Sequence, residues 1–401
     1  MRVLWAVPAV AFGVVALAST AFAQTDSTPV SSNRRSAVKF MPRFDVGFEY
    51  DNNIFLLPTS KKDEPRAPSA ADLLSGRYVS MESASDIVAA VAATLMIEGN
   101  GLRGRDLILS PTVGYERYLQ SADRSNLTLG LTLEQALRRD GRVRLRARLQ
   151  PSYFSRNYLS DAIDGNVDGT ITSDERRYAR GEYRETEVQA DYRIRLAKSS
   201  KAAPFGAFLI LGAGFADRAY DAPLVARDFS GPFGSTRLQL DLSRRVQSVT
   251  SYDVAMMESP VSTQVILLDE PAFGEDLNGN ANATDLNARA VRTVDRSRTE
   301  HVLGQTARFE ATKDTDIEVS IDYRWRTFSS DEPYDVANNG RRDRRGQYGV
   351  DVIHRLSKAI RMNVGARYSS QQLNRRTDLG GEGAVDDYTK LQAHLGFRIV
   401  R

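Results

Sequence analysis

Cysteine is absent from the 401 residues, histidine occurs three times and tryptophan twice. Without thiols the chain has neither disulfides nor cysteine-ligated metal centres. No run of about 18 apolar residues follows Ala23, so no helical membrane span is available. Neither sign of charge dominates: 54 Lys and Arg against 51 Asp and Glu leave +3. The charges are interspersed, so the basic pI points neither to nucleic acid nor to an acidic tail. A glycine-rich phosphate loop, an H-E-x-x-H zinc motif and a nucleophile elbow are also missing.

The N-terminus has Arg2, an apolar run from Val3 to Leu17, and Ser-Thr-Ala-Phe-Ala before Gln24. A basic start, an apolar core and small residues at the end predict a Sec-type signal peptide over 1–23, cleaved near Ala23. Residues 24–42 are rich in Ser, Thr and Arg and too short to fold alone, which predicts a periplasmic tail. The remainder, 43–401, reads as one domain.

Residues 126–137 place Leu127, Leu129, Leu131, Leu133 and Leu137 on one face and Asn126, Thr128, Gly130, Thr132 and Glu134 on the other. After a tight turn, Val143, Leu145, Ala147 and Leu149 alternate with Arg142, Arg144, Arg146 and Arg148. Successive strand side chains point to opposite faces, so this hairpin has one greasy wall and one arginine wall. Similar alternation predicts about 14 strands in all. They are placed at 43–55, 86–98, 106–118, 126–137, 142–156, 184–196, 205–218, 235–243, 250–258, 299–313, 315–328, 347–356, 360–371 and 387–400.

The connections alternate in length. Those at 56–85, 119–125, 157–183, 219–234, 259–298, 329–346 and 372–386 are mostly long, and those near Asn100, Asp140, Ser199, Arg245, Asp314 and Lys358 are short. Tyr50, Tyr115, Tyr153, Phe215, Tyr323, Trp325 and Tyr368 all fall on the apolar face near the long-loop end. Short turns on one side, long loops on the other and an aromatic girdle predict an all-β, transmembrane, antiparallel up-and-down barrel in the Gram-negative outer membrane. A mean hydropathy of −0.39 suits a barrel with a wet interior. Its immediate partners would be outer-membrane lipid and lipopolysaccharide.

On the expected inner face, Arg142, Arg144, Arg146 and Arg148 form a ladder, with Glu185, Glu187 and Asp191 on the next strand. Asp322 and Arg324 lie on a mixed wall, and Arg367 and Arg398 on the last strands. Opposed basic and acidic walls would set a transverse field across a pore. The alternative is that these charges only hydrate and brace the interior. His394 faces the lumen by parity, whereas His301 and His354 point outward near the rims, so no Ser–His arrangement emerges and an enzyme is not expected.

One expected external loop fits the calcium pattern D-x-[DN]-x-[DN]-G-x5-E. Asp164, Asn166 and Asp168 supply oxygens, Gly169 the turn, Thr170 its carbonyl, and Glu175 closes the set. A second stretch, Asp276, Asn278, Asn280 and Asn282, has similar oxygens but Ala281 at the turn position.

The segment Tyr50-Asp51-Asn52-Asn53-Ile54-Phe55 resembles the block that opens the barrel in a family of outer-membrane porins associated with exopolysaccharide operons. The resemblance implies a porin-like channel, serving either exopolysaccharide export or solute diffusion, with polysaccharide or its export machinery as a partner and no catalytic residues. The competing reading is a structural or adhesive surface barrel with calcium-stabilised external loops and a closed lumen.

Overall fold

The computed structural model describes residues 38–58, 62–63, 65–67, 79–138, 141–159, 178–197, 205–267, 289–331, 335, 338–374 and 387–400. The strands are β1 (Lys39–Asp51), β2 (Asp86–Asn100), β3 (Asp106–Tyr118), β4 (Asn126–Arg138), β5 (Gly141–Leu159), β6 (Tyr178–Ala197), β7 (Gly206–Tyr220) and β8 (Phe229–Asp241). Then follow β9 (Val246–Met257), β10 (Ser262–Leu267), β11 (Arg289–Val294), β12 (Arg298–Thr312), β13 (Thr315–Phe328), β14 (Arg342–Arg355), β15 (Ile360–Asn374) and β16 (Tyr388–Val400).

Fourteen of these strands pair antiparallel with their neighbours in chain order and form a closed barrel, sealed by β1 against β16 from Arg43↔Val400 to Asp51↔Gln392. The remaining two, β10 and β11, make a separate hairpin within the connection between β9 and β12. Closure leaves no unpaired edge, the condition for backbone to cross hydrocarbon as sheet. No helix among the described residues is long and apolar enough to cross a membrane.

The alternation read from the sequence sets which side chains face out. Phe48, Val91, Leu131, Leu145, Val188, Leu211, Ile321, Val350, Val364 and Leu395 are exposed on the outside of the barrel. At roughly 25 cal/mol per Å² of apolar surface, such a wall is stable only against lipid. On β9 and β12 the outer face also carries polar groups, and these satisfy one another. Thr250 Oγ1 donates to Gln305 Oε1 at 2.6 Å, and Gln305 Nε2 donates to Ser248 Oγ at 2.8 Å. Above them Tyr252, His301 and Trp325 stack as part of the girdle, with 5.0 Å between the His301 and Trp325 ring centres.

Several strand ends differ from the sequence expectation. The first strand stops at Asp51 rather than Phe55, and β1 begins at Lys39, inside the expected tail. By contrast β5, β6 and β14 extend further toward the long-loop side than alternation indicates. Above the lipid the outward positions need no apolar side chain, so the signal fades while the ladder continues. Tyr153 also departs from the expected girdle. The β5–β6 register shifts between Gln150 and Tyr153, and the extra residues turn Tyr153 inward against Tyr183, with ring centres 5.3 Å apart.

Candidate functional site

The lumen is lined by every second residue of each barrel strand. On β5 the predicted arginines all point inward, but they do not stand as an open ladder opposite an acidic wall. Glu134 on β4 faces Arg144 across the pair and binds two guanidinium groups, Arg142 at 2.6 Å and Arg144 at 2.9 Å. Arg146 donates to Asp191 Oδ2 and to Gln189 Oε1, both at 2.8 Å. Gln189 in turn donates to Asp191 Oδ1 at 2.8 Å. Arg148 opposes Glu187 in register yet makes no ion pair among the described residues.

Similar pairing runs round the barrel. Glu185 accepts from Arg218 Nε at 3.0 Å, near the external mouth. Arg324 and Arg326 both pair with Glu300. Arg367 lies 4.0 Å from Asp351, and Arg398 2.6 Å from Asp45, which also holds Arg43 at 3.0 Å. Asp51 pairs with Lys390 and Asp316 with Arg308. The expected opposition of charged walls is thus corrected to short-range neutralisation: adjacent strands are about 4.8 Å apart, so each side chain finds a counter-charge beside it before it reaches across water.

Glu134 and Glu300, which each hold two arginines, are absent from the sequence-predicted set. For Glu134 the signal was available, since the tight β4–β5 turn puts it opposite Arg144. Glu300 could be found only after strand boundaries placed it beside Arg326.

Glycines on neighbouring strands give the inward carboxylates room to lie against the wall. A Cβ at Gly212 would stand 2.5 Å from Asp191 Oδ1, and one at Gly304 would stand 2.6 Å from Asp322 Oδ1. Gly365 has the same relation to Asp351. His394 faces the lumen as parity predicts, with Nε2 2.7 Å from Asp351 Oδ1 and 3.3 Å from Asn363 Nδ2. The described hydrogen bonds place no serine on it. His301 is bound to the Tyr252 hydroxyl and His354 to Thr315, both outside the lumen.

A cavity of about 600 Å³ is bounded by Ala90, Ala92, Thr112, Gly114 and Thr128 of β2–β4 and faced by Arg148, Arg308, Arg361 and Arg398, with the carboxylates Asp45 and Glu116 also in its lining. Arg361, like Arg148, is exposed and has no ion pair among the described residues. A second cavity of about 440 Å³ adjoins it on the external side and shares Gly47, Ala90, Glu116, Asn363 and Gly396.

The external side is capped by the start of the first loop. Asn53 is fully buried and pins the chain: its Nδ2 donates to the carbonyls of Leu57 at 2.8 Å and Thr389 at 3.2 Å, and its Oδ1 accepts from Leu57 N at 2.8 Å. Asn52 Oδ1 accepts from Leu391 N at 2.7 Å. These bonds turn Ile54, Phe55 and Leu57 inward onto Met81, Val88, Tyr118 and Phe154. Arg124 inserts among the rings, 5.2 Å from Phe55, 5.3 Å from Tyr118 and 4.9 Å from Tyr153. Asp86 fastens the next loop by accepting backbone N–H groups from Leu119, Gln120 and Ser121. Beside it, a hydrogen bond from the Ser80 hydroxyl, then one from Arg180, holds the Asp123 carboxyl below its ordinary range.

Asp164, Asn166, Asp168, Thr170 and Glu175 lie outside the described residues, as does the stretch from Asp276 to Asn282. No cluster of metal-binding side chains occurs among the described residues.

No protein-family model matches the sequence, and no curated protein matches it. The resemblance to exopolysaccharide-associated porins therefore rests on the Tyr50–Phe55 block alone. Solved outer-membrane barrels are similar in fold. OmpT, an outer membrane protein of Vibrio cholerae, is 8% identical with a TM-score of 0.42, over 94% of this chain and 100% of that one. The outer membrane channel DcaP of Acinetobacter baumannii gives the same four values. An anion-selective porin from Comamonas acidovorans is 10% identical with a TM-score of 0.35, over 91% and 99%.

Proposed function

We propose that the protein is an outer-membrane channel whose passage favours small anionic solutes. The observation that carries this reading is the 600 Å³ lumen cavity faced by four arginines, of which Arg148 and Arg361 are left without a counter-charge among the described residues. Two carboxylates, Asp45 and Glu116, line the same cavity, but Asp45 is held by Arg43 and Arg398, so positive charge stays in excess there. Low-dielectric walls focus the resulting potential on the passage and raise the local anion concentration. Glu116 apart, the opposite wall is Ala, Gly and Thr and offers few groups that would hold a solute back, as conduction requires.

Reconstitution into planar bilayers tests the reading. Under a KCl gradient the reversal potential should show anion preference, and Arg148→Glu with Arg361→Glu should move it toward cations while insertion is unchanged. Absence of conductance, or a reversal potential unmoved by the double substitution, would overturn it. Exopolysaccharide export is the narrower form of this proposal, supported by the Tyr50–Phe55 block. That block also has an architectural use here, as the turn that folds the first loop into the mouth.

A further inference from the structure

The outside of the barrel is asymmetric in charge along its axis. Among the described side chains, outward positions in the half nearest the short turns carry no Lys, Arg, Asp or Glu. At the long-loop end, Arg117 on β3, Arg184 on β6, and Arg342 and Arg344 on β14 point outward. Their register partners fix the parity: Ala89 faces Arg117, Ala219 faces Arg184, Thr327 faces Arg342 and Trp325 faces Arg344. None of the four makes an ion pair among the described residues; of the acids with outward parity at this end, Glu182 on β6 is held by Arg180 at 2.9 Å, and Asp217 lies on β7. Lumen arginines, by contrast, mostly find a carboxylate on the next strand.

Arg342 and Arg344 form the densest part of this belt. They stand two residues apart on one face of β14, hence about 7 Å from each other. Thr327 lies beside the first, and Trp325 and Gln372 flank the second. Toward the membrane, Tyr348 is 54% exposed, and its hydroxyl reaches back over Gly346, where a Cβ would stand 3.6 Å from it. The girdle thus supplies an aromatic floor, and the two guanidinium groups rise above it to the level of lipid headgroups. Unpaired guanidinium groups at a membrane surface attract anionic lipid, and their planar fork matches phosphate oxygens.

We propose that Arg342 and Arg344, with the Tyr348 hydroxyl, bind the phosphate of a phosphorylated glycolipid of the external leaflet, lipopolysaccharide, and hold it against the β13–β15 wall. Charge complementarity selects this occupant. A zwitterionic headgroup would bring a second cation to an already basic site, and a free anion would have no use for the Trp325 and Tyr348 rings below.

Native mass spectrometry of the detergent-solubilised full-length protein tests this, with diphosphoryl lipid A, its dephosphorylated form and inorganic phosphate as probes. Wild type should retain diphosphoryl lipid A and lose the dephosphorylated form. Arg342→Gln with Arg344→Gln should weaken retention about tenfold, equivalent to about 1.4 kcal/mol, with heat-modifiable gel mobility showing that the barrel stays folded. Millimolar inorganic phosphate should not displace the lipid. Equal retention by wild type and the double variant, equal retention of the two lipids, or displacement by phosphate alone would each overturn the assignment.

Discussion

Glu134 shows how a single side chain sets the charge that the passage presents. It neutralises Arg142 and Arg144 together, so Glu134→Gln removes one negative charge and frees two guanidinium groups. The arginines remain more than a third exposed, and pairs of this kind contribute about 0–1 kcal/mol each, so the variant should still insert. Its reversal potential under a salt gradient should shift toward stronger anion selectivity. No shift would mean that Arg142 and Arg144 lie away from the ion path. At this scale the inner-face arginines were legible in the sequence, because alternation decides the face. Their partners were less so, since ion pairing depends on the register between strands and on glycines such as Gly212 and Gly304 that let a carboxylate lie flat.

The first external loop is the element with the sharpest consequence. Removing the Asn53 side chain by Asn53→Ala leaves the buried Leu57 N–H and the carbonyls of Leu57 and Thr389 without its bonds, at about 1–3 kcal/mol for each group left unsatisfied. The loop should then leave the mouth. Single-channel conductance should rise, and limited proteolysis of intact cells should cut near Phe55 faster than in wild type. Unchanged conductance and cleavage would show that the Phe55, Met81 and Phe154 contacts suffice alone. The calcium proposal belongs to another loop and rests on the complete oxygen pattern from Asp164 to Glu175. A weak site of roughly 10⁻⁴ to 10⁻³ M would fill in a millimolar-calcium medium. Calorimetry should show binding that Asp168→Ala with Glu175→Ala abolishes, and equal heats from both proteins would reduce the segment to an acidic loop.

For the whole molecule, the absence of cysteine makes the barrel register directly testable. A single cysteine at Leu129 or Leu145 should resist aqueous thiol reagents in membranes, whereas one at Thr128 or Arg146 should react; the reverse pattern would shift the whole β4–β5 pair by one residue. The strand number, direction and alternation of loop lengths were readable because lipid demands an apolar residue at every second position. Tyr153 was misplaced because a bulge resets that count without altering the composition around it. The β10–β11 hairpin was missed because it lies outside the barrel, where lipid imposes no pattern. Ion pairs brace the lumen along much of its circumference, while at the cavity β2–β4 present Ala90, Ala92, Thr112, Gly114 and Thr128, with Glu116 as the charged group of that stretch. In a channel of the proposed kind, the width at the cavity beside β2–β4 would depend on how far Arg148, Arg308 and Arg361 reach toward Ala92. Size cutoff and strand number are thereby separable: a bulkier residue at Ala90 or Ala92 would tighten the sieve, and a shorter one at Arg308 would widen it, with the same fourteen strands in place.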